Sequence, residues 1–132
     1  MASGRRDYTV GVLEDSISPG RYSVNYSRYK NLIIPAGESG YVDNYGIPEG
    51  YVFYMTSVRV STLSPVINMV RLWKDSEYII DFYFEVNCCI DFGYRGSYKV
   101  NAGESIVLVC RNYDDVGTNF DATILGVLEQ IN

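Results

Sequence analysis

The side chains that could carry out acid–base or nucleophilic chemistry are few in this sequence. Its 132 residues contain no histidine, which removes the commonest general base and the usual partner of a nucleophilic Ser or Cys. Asp81 and Glu85 form a possible carboxylate pair of the glycosidase type, because they lie an even number of positions apart in one predicted strand and share a face. No nucleophile, cofactor loop or metal motif accompanies them. We therefore interpret them as part of a solvated sheet face and predict neither catalysis nor a cofactor.

Oxygen-bearing side chains are concentrated just before the last predicted strand. Asp114, Asp115 and Asp121 are joined there by Asn112 and Asn119. Calcium prefers hard oxygen ligands on a flexible loop, which makes the three aspartates the metal candidates of this chain. Their spacing does not match an EF-hand loop, however, and Asn and Asp are ordinary residues of long turns. We interpret the segment as a turn and predict no metal site.

The three cysteines do not form a disulfide framework. Cys88 and Cys89 are adjacent, and Cys110 lies in a later predicted strand. Neighbouring residues of a strand point to opposite faces, so either Cys88 or Cys89 faces the core, where a disulfide with Cys110 is one alternative. The favoured alternative is free thiols that behave as small buried hydrophobes. Three thiolates without histidine lack the usual spacing of a metal site.

Tyrosine is the unusual feature of the composition, with 13 residues in the chain. A tyrosine combines a large apolar ring with a polar tip, which suits contact surfaces. Three uses are open: a subunit or partner interface, stacking on sugar rings, or cross-strand pairs that stabilise a sheet. Several of these side chains lie between polar and glycine residues, and we expect them to be exposed. The interface or ligand-contact candidates are Tyr22, Tyr26, Tyr29, Tyr41, Tyr45, Tyr51 and Phe53.

The elements that must position these side chains are strands. Apolar residues alternate with period two throughout, and no segment keeps the spacing of an amphipathic helix for three turns. The clearest hairpin joins 66–74 to 77–86 through Asp75 and Ser76, whose side chains favour a two-residue turn. The sequence predicts one all-β domain, 1–132, an antiparallel, jelly-roll-like β-sandwich of about eight to ten strands. The predicted strands are 8–13, 22–26, 30–34, 51–60, 66–74, 77–86, 97–100, 105–112 and 119–129.

Three turns between these strands share one pattern. Residues 35–37 (Pro-Ala-Gly), 48–50 (Pro-Glu-Gly) and 101–103 (Asn-Ala-Gly) each place glycine two positions after Pro or Asn. This order is typical of a type II turn, in which the third residue adopts a positive φ. We expect each turn to lead into a new strand.

Charge and hydropathy limit the partners. The formal net charge is −5, and an acidic domain without a Lys/Arg cluster repels the phosphates of nucleic acid. No apolar run approaches the roughly 20 residues of a bilayer-spanning helix, and no signal-peptide pattern is visible at the start. We predict neither a nucleic-acid partner nor a membrane span, and the localisation stays open.

The pattern of turn and strand residues in the C-terminal half resembles that of known proteins. It comprises 47–51 (Ile-Pro-Glu-Gly-Tyr), 101–112 (Asn-Ala-Gly-Glu-Ser-Ile-Val-Leu-Val-Cys-Arg-Asn) and 122–129 (Ala-Thr-Ile-Leu-Gly-Val-Leu-Glu). This order of turns and strands resembles small jelly-roll proteins of archaeal viruses and phages. The resemblance implies a virion component or viral accessory protein that acts by binding and assembly, and it transfers no individual functional residue.

Self-association is the function that the sequence favours. Several strands carry bulky apolar groups on both faces: Phe82 and Phe84 share one face of their strand while Tyr83 takes the other. A sandwich buries only one face of each strand, so the second face favours a partner surface. We expect a homodimer or homotrimer, with other virion proteins as further possible partners. The alternative is a carbohydrate-binding module.

Overall fold

The computed structural model describes residues 23–92 and 97–131, and these form nine β-strands and no helix. The predicted strand 8–13 lies outside the described residues. The strands are β1 Ser23–Ile34, β2 Ser39–Gly46, β3 Tyr51–Thr62, β4 Ile67–Lys74, β5 Glu77–Glu85, β6 Asn87–Asp91, β7 Tyr98–Val100, β8 Ser105–Arg111 and β9 Thr118–Gln130.

The strands form two antiparallel sheets. In the five-stranded sheet the order is β1-β9-β3, and both β6 and β7 pair with the far side of β3. In the four-stranded sheet the order is β2-β8-β4-β5. The chain passes from one sheet to the other between most successive strands, as jelly-roll topologies do. The predicted all-β, jelly-roll-like sandwich is confirmed.

Most of the predicted strands are present, but one predicted break is wrong, and the strands β2 and β6 were not predicted. The hairpin of β4 and β5 turns at Asp75 and Ser76 as predicted. The predicted break between 22–26 and 30–34 is wrong, because β1 is continuous and pairs with β9 from Ser23 to Ile34. Its polar middle is held by this unbroken ladder of hydrogen bonds. The strand β2 was not expected because Gly40, Asp43 and Asn44 have low strand propensity.

The three turns with the shared glycine pattern are confirmed. Gly37, Gly50 and Gly103 have φ values of 73°, 84° and 84°. In each turn the residue after the glycine donates its backbone N–H to the carbonyl of the first turn residue, over 3.0 to 3.2 Å. The turns lead into β2, β3 and β8, so the recurring pattern starts a strand each time.

The core lies between the two sheets and includes the large side chains Phe53, Met55, Phe120, Leu72 and Ile106. Gly126 on β9 makes the packing of Phe53 possible. A Cβ atom built at Gly126 would overlap the Tyr54 carbonyl oxygen and would lie 2.6 Å from Cζ of Phe53. The phenyl ring therefore occupies the space that a side chain at position 126 would need.

Within the described ranges, no helix has the length and apolar character needed to cross a bilayer.

We predict that Gly126→Ala lowers the free energy of unfolding by about 2 kcal/mol, because the added methyl group must displace Phe53 or the β3 backbone. Gly117→Ala is the matched control, since its Cβ would meet its nearest atoms at 3.7 Å. We expect the control to change stability by less than about 1 kcal/mol. Urea denaturation of both variants measures the difference. Equal effects of the two substitutions would contradict this account of Gly126.

Candidate functional site

The tyrosine candidates separate into buried and exposed groups. Tyr26, Tyr45 and Phe53 form one aromatic cluster, with Tyr26 stacked on Tyr45 at a ring-centroid distance of 5.5 Å. Phe53 meets both rings edge-on, at 6.0 Å from Tyr26 and 5.8 Å from Tyr45. Tyr26 is half-buried, whereas Tyr45 and Phe53 belong to the core. These contacts stabilise the sandwich itself.

The expectation that Tyr45 and Phe53 present contact surface is therefore wrong. Phe53 points inward on β3 and fills the space above Gly126. Tyr51 is half-buried and packs against the core, and Tyr22 lies outside the described residues. Tyr29 and Tyr41 are the two candidates of this set with well-exposed side chains.

An ion pair closes the edge of the sandwich beside this cluster. Nε of Arg28 on β1 donates to both carboxylate oxygens of Asp43 on β2, over 3.0 and 2.8 Å. The Asp43 side chain is almost completely buried, and the Arg28 guanidinium carbon lies 4.6 Å from the Tyr45 ring centroid. The hydrogen bond with Asp43 raises the pKa of Arg28. Burial, together with the nearby Tyr26, raises the pKa of Tyr45 to about 12.

The largest group of exposed large hydrophobic side chains lies on the outer face of the four-stranded sheet. We call it the tyrosine face, and its members are 45 to 70% exposed: Tyr41, Ile67, Tyr78, Tyr83 and Tyr113. Strand register places Tyr41 opposite Val109 and Tyr83 opposite Met69. The half-buried Val107, Val109, Met69 and Trp73 fill the space between the exposed members. The face is thus continuous from β2 to β5.

One ion pair lies on the tyrosine face. Arg71 on β4 and Asp81 on β5 form an ion pair of 3.2 Å, and the Tyr78 hydroxyl donates to Asp81 over 2.8 Å. This hydrogen bond raises the pKa of Tyr78. The Arg111 guanidinium carbon lies 5.1 Å from the ring centroid of Tyr113. The face therefore combines aromatic rings with one ion pair and with a cation beside the Tyr113 ring.

Sequence reasoning found this face only in part. It identified Tyr41 and the outward position of Tyr83, but it did not select Ile67, Tyr78 or Tyr113 as contact residues. Alternation along β5 predicts the side of Tyr83. It does not predict that of Tyr78, because the register between β4 and β5 shifts at Leu72 and Trp73.

A groove occupies the outer face of the five-stranded sheet and has a volume of about 440 Å³. Tyr29 lies at this groove, and its hydroxyl donates to Asp121 over 2.6 Å. Asn119 donates to the same carboxylate oxygen over 2.9 Å. The other side chains along the groove include Arg59, Ser61, Asn87, Cys89 and Thr123. Val60 and Cys88 also line the groove, so its lining is mixed, with one exposed aromatic ring.

The calcium candidates are not brought together. Asp114 accepts a hydrogen bond of 2.9 Å from the Ser64 hydroxyl, which lowers the pKa of Asp114, and also one from the backbone N–H of Asp115. Asp121 lies on β9 and is engaged by Tyr29. Within the described ranges, no group of three or more His, Cys, Asp or Glu side chains is arranged to hold a metal ion. The suggestion of calcium at these aspartates is not supported, because the side chains stabilise their own loop and strand.

All three cysteines are free thiols. Cys110 is fully buried, Cys88 is half-buried and Cys89 is exposed. Burial raises the pKa of Cys110 to about 12 and that of Cys88 to about 11. Of the two alternatives left open by the sequence, the structure has the free thiols, although Cys89 is not buried.

Comparisons with known proteins give the fold and no family. No family model matches the chain, and no curated protein matches it. Among solved structures, the chain is similar to one titled "Bacillus endospore appendages form a novel family of disulfide-linked pili", with a TM-score of 0.52 and 6% identity over 88% of this chain and 96% of that chain. A decameric BFDV capsid protein has a TM-score of 0.51 and 6% identity, over 85% of this chain and 99% of that one.

A third structure of this kind is the acid-stable capsid of the Helicobacter pylori bacteriophage KHP30. Its TM-score is 0.50 at 11% identity, over 85% of this chain and 99% of that chain. At these identities the likeness concerns the fold alone. The structural likeness covers most of the chain, whereas the resemblance seen in the sequence covered the C-terminal half. The expected fold-level resemblance to viral jelly-roll proteins is confirmed.

We predict that Arg28→Met lowers the free energy of unfolding by about 3 kcal/mol at neutral pH, because it leaves the buried Asp43 carboxylate without its cation. The double variant Arg28→Met/Asp43→Leu is the control, since it removes both charges. We expect it to recover most of the lost stability. Urea denaturation compares the two variants. An Arg28→Met variant as stable as the unsubstituted protein would show that the ion pair does not hold the edge.

Proposed function

We propose that this protein is a non-enzymatic structural subunit whose copies associate through the tyrosine face into a closed homodimer or homotrimer. The observation that carries the proposal is the exposure of five large side chains, four tyrosines and one isoleucine, on the outer face of one sheet. Aromatic side chains are enriched in interfaces and in their energetic hot spots. An exposed patch of this kind is typical of a partner surface.

The charges of the tyrosine face support association with a second copy. Burying an unpaired charge costs several kcal/mol, but Arg71 and Asp81 already form a pair within one copy. A second copy would therefore cover a neutral pair.

The structural comparisons support the same proposal at a coarser level. The three similar structures come from a pilus and from two capsid proteins, whose names describe assemblies of subunits. A role as a virion component or viral accessory protein is the specific form that we propose, with other virion proteins as further partners. The acidic net charge of −5 favours protein contacts over nucleic acid.

We predict that the double variant Tyr41→Glu/Tyr83→Glu weakens self-association at least tenfold, because it places like charges on both contacting faces. Sedimentation equilibrium at micromolar concentration should give a dimer or trimer for the unsubstituted protein and the monomer mass of 14.9 kDa for the variant. Tyr29→Glu is the matched control, since Tyr29 is comparably exposed but lies on the other sheet. It should leave the mass unchanged.

Two results would contradict this proposal. One is an unsubstituted protein that stays monomeric up to high concentration. The other is dissociation caused by Tyr29→Glu while Tyr41→Glu/Tyr83→Glu still assembles, which would move the contact to the five-stranded sheet.

Carbohydrate binding is the second candidate function, and the groove beside Tyr29 favours it. An exposed ring next to a carboxylate offers one surface for stacking and one acceptor for sugar hydroxyls. If this candidate is correct, a glycan array shows specific binding that Tyr29→Ala abolishes and Tyr41→Ala retains. An array without binding would remove the candidate.

A further inference from the structure

The groove on the outer face of the five-stranded sheet is built from two rows of side chains that cross four strands. Val60 and Ala122 belong to the core, so their neighbours along β3 and β9 point outward. Strand register places the first row as Tyr29 on β1, Thr123 on β9, Arg59 on β3 and Cys89 on β6. The second row is Asn31, Asp121, Ser61 and Asn87 on the same strands. All of these except Asn31 line the groove.

Hydrogen bonds hold the aromatic ring at one end of the groove. The Tyr29 hydroxyl donates to Oδ1 of Asp121 over 2.6 Å and accepts from the Asn31 amide over 3.2 Å. The Asn119 amide donates to the same Oδ1 atom over 2.9 Å. Both bonds to Asp121 end on one oxygen, which leaves the acceptor capacity of Oδ2 for a ligand. The ring is therefore positioned in advance, beside an available acceptor.

Arg59 brings a positive charge to the groove between β9 and β6. Its side chain is exposed and makes no ion pair or side-chain hydrogen bond with any other residue of 23–92 and 97–131. Asp121 lies diagonally opposite across β3 and β9, and such diagonal neighbours are about 7 to 8 Å apart. A guanidinium offers donors in a planar fork that matches a carboxylate. The groove thus has a cation that is available for an anionic group.

We propose that this groove binds an acidic saccharide, a glycan with a uronic- or sialic-acid unit whose carboxylate pairs with Arg59. The sugar ring lies against Tyr29, and sugar hydroxyls bond to Asp121, Ser61 and Asn87. The proposal rests on the second candidate function, carbohydrate binding, and assigns its ligand class. It does not depend on association through the tyrosine face, which is on the other sheet.

The lining of the groove favours a saccharide over a smaller or more highly charged anion. The volume of about 440 Å³ is in the range of small-molecule sites. Hydroxyl and amide groups at Ser61, Thr123 and Asn87 can both donate and accept, as a ligand with several hydroxyls requires. A phosphate ester carries up to two negative charges and would meet one guanidinium together with the Asp121 carboxylate. A sugar carboxylate has one charge and matches one guanidinium.

A glycan array that carries uronic- and sialic-acid glycans beside their neutral counterparts tests the ligand class. We expect the acidic glycans to bind at least tenfold more tightly, because the neutral ones have no group for Arg59. Neutral glycans that bind equally well would overturn this proposal and leave carbohydrate binding in place. An array without binding would overturn both, whereas self-association is judged separately by sedimentation equilibrium.

Charge removal at Arg59 tests the site. Arg59→Gln should weaken binding of the acidic glycans at least tenfold and leave the sedimentation mass unchanged. Lys30→Gln is the matched control, because Lys30 is also exposed but alternation places it on the other side of β1 from Tyr29. It should bind acidic glycans as the unsubstituted protein does. Retained binding by Arg59→Gln, or equal loss in both variants, would overturn the assignment of the site.

The exposed thiol of Cys89 reports whether the groove is occupied. In a Cys88→Ser background it is the accessible thiol, because Cys110 is fully buried. We expect trigalacturonate or sialyllactose to slow the reaction of Cys89 with a maleimide at least fivefold, and lactose to have no such effect. Acetate and inorganic phosphate at the same concentration should not protect either.

Two labelling results would overturn the proposal. Array binding without protection of Cys89 by either acidic probe would place the ligand outside the groove. Protection by acetate or phosphate as strong as that by the acidic probes would identify an anion site that does not recognise the sugar. In both cases the Arg59→Gln sample shows whether the effect depends on this cation.

Discussion

The ion pair between Arg28 and Asp43 depends on a small irregularity that determines much of the rest of the structure. The pairing of β2 with β8 shifts register between Tyr41 and Asp43. A regular strand would put Tyr41, Asp43 and Tyr45 on one face. The bulge turns Asp43 and Tyr45 toward the interior and leaves Tyr41 outside. The buried carboxylate then holds Arg28, and Arg28 keeps the polar middle of β1 against the sandwich edge.

The two outer faces of the sandwich differ because their strands carry different side chains. The four-stranded sheet presents rings that are separated by half-buried aliphatic side chains, with the Arg71–Asp81 pair in their midst. The five-stranded sheet presents a groove of mixed lining near Tyr29. Contact with a partner needs the first kind of surface, since large rings gain most from the removal of water. A single sandwich can therefore offer different surfaces for different contacts.

The likeness to pilus and capsid subunits at 6 to 11% identity has a physical basis. A jelly roll requires strands that alternate in polarity and turns that redirect the chain between two sheets. Many sequences meet these requirements, so the fold persists without shared residues. Contact residues are not constrained by the fold, and each protein must be considered from its own surface.

The sequence by itself determined the features that depend on local chemistry. Period-two alternation predicted the strands. The Pro/Asn-x-Gly pattern predicted turns at Gly37, Gly50 and Gly103, and Asp75 with Ser76 predicted the hairpin. Only the tertiary structure decided which aromatic side chains are exposed. Tyr41 and Tyr45 have similar sequence surroundings, yet the bulge on β2 places them on opposite faces. Register shifts depend on pairing between strands that are distant in sequence, and local propensity carries no information about them.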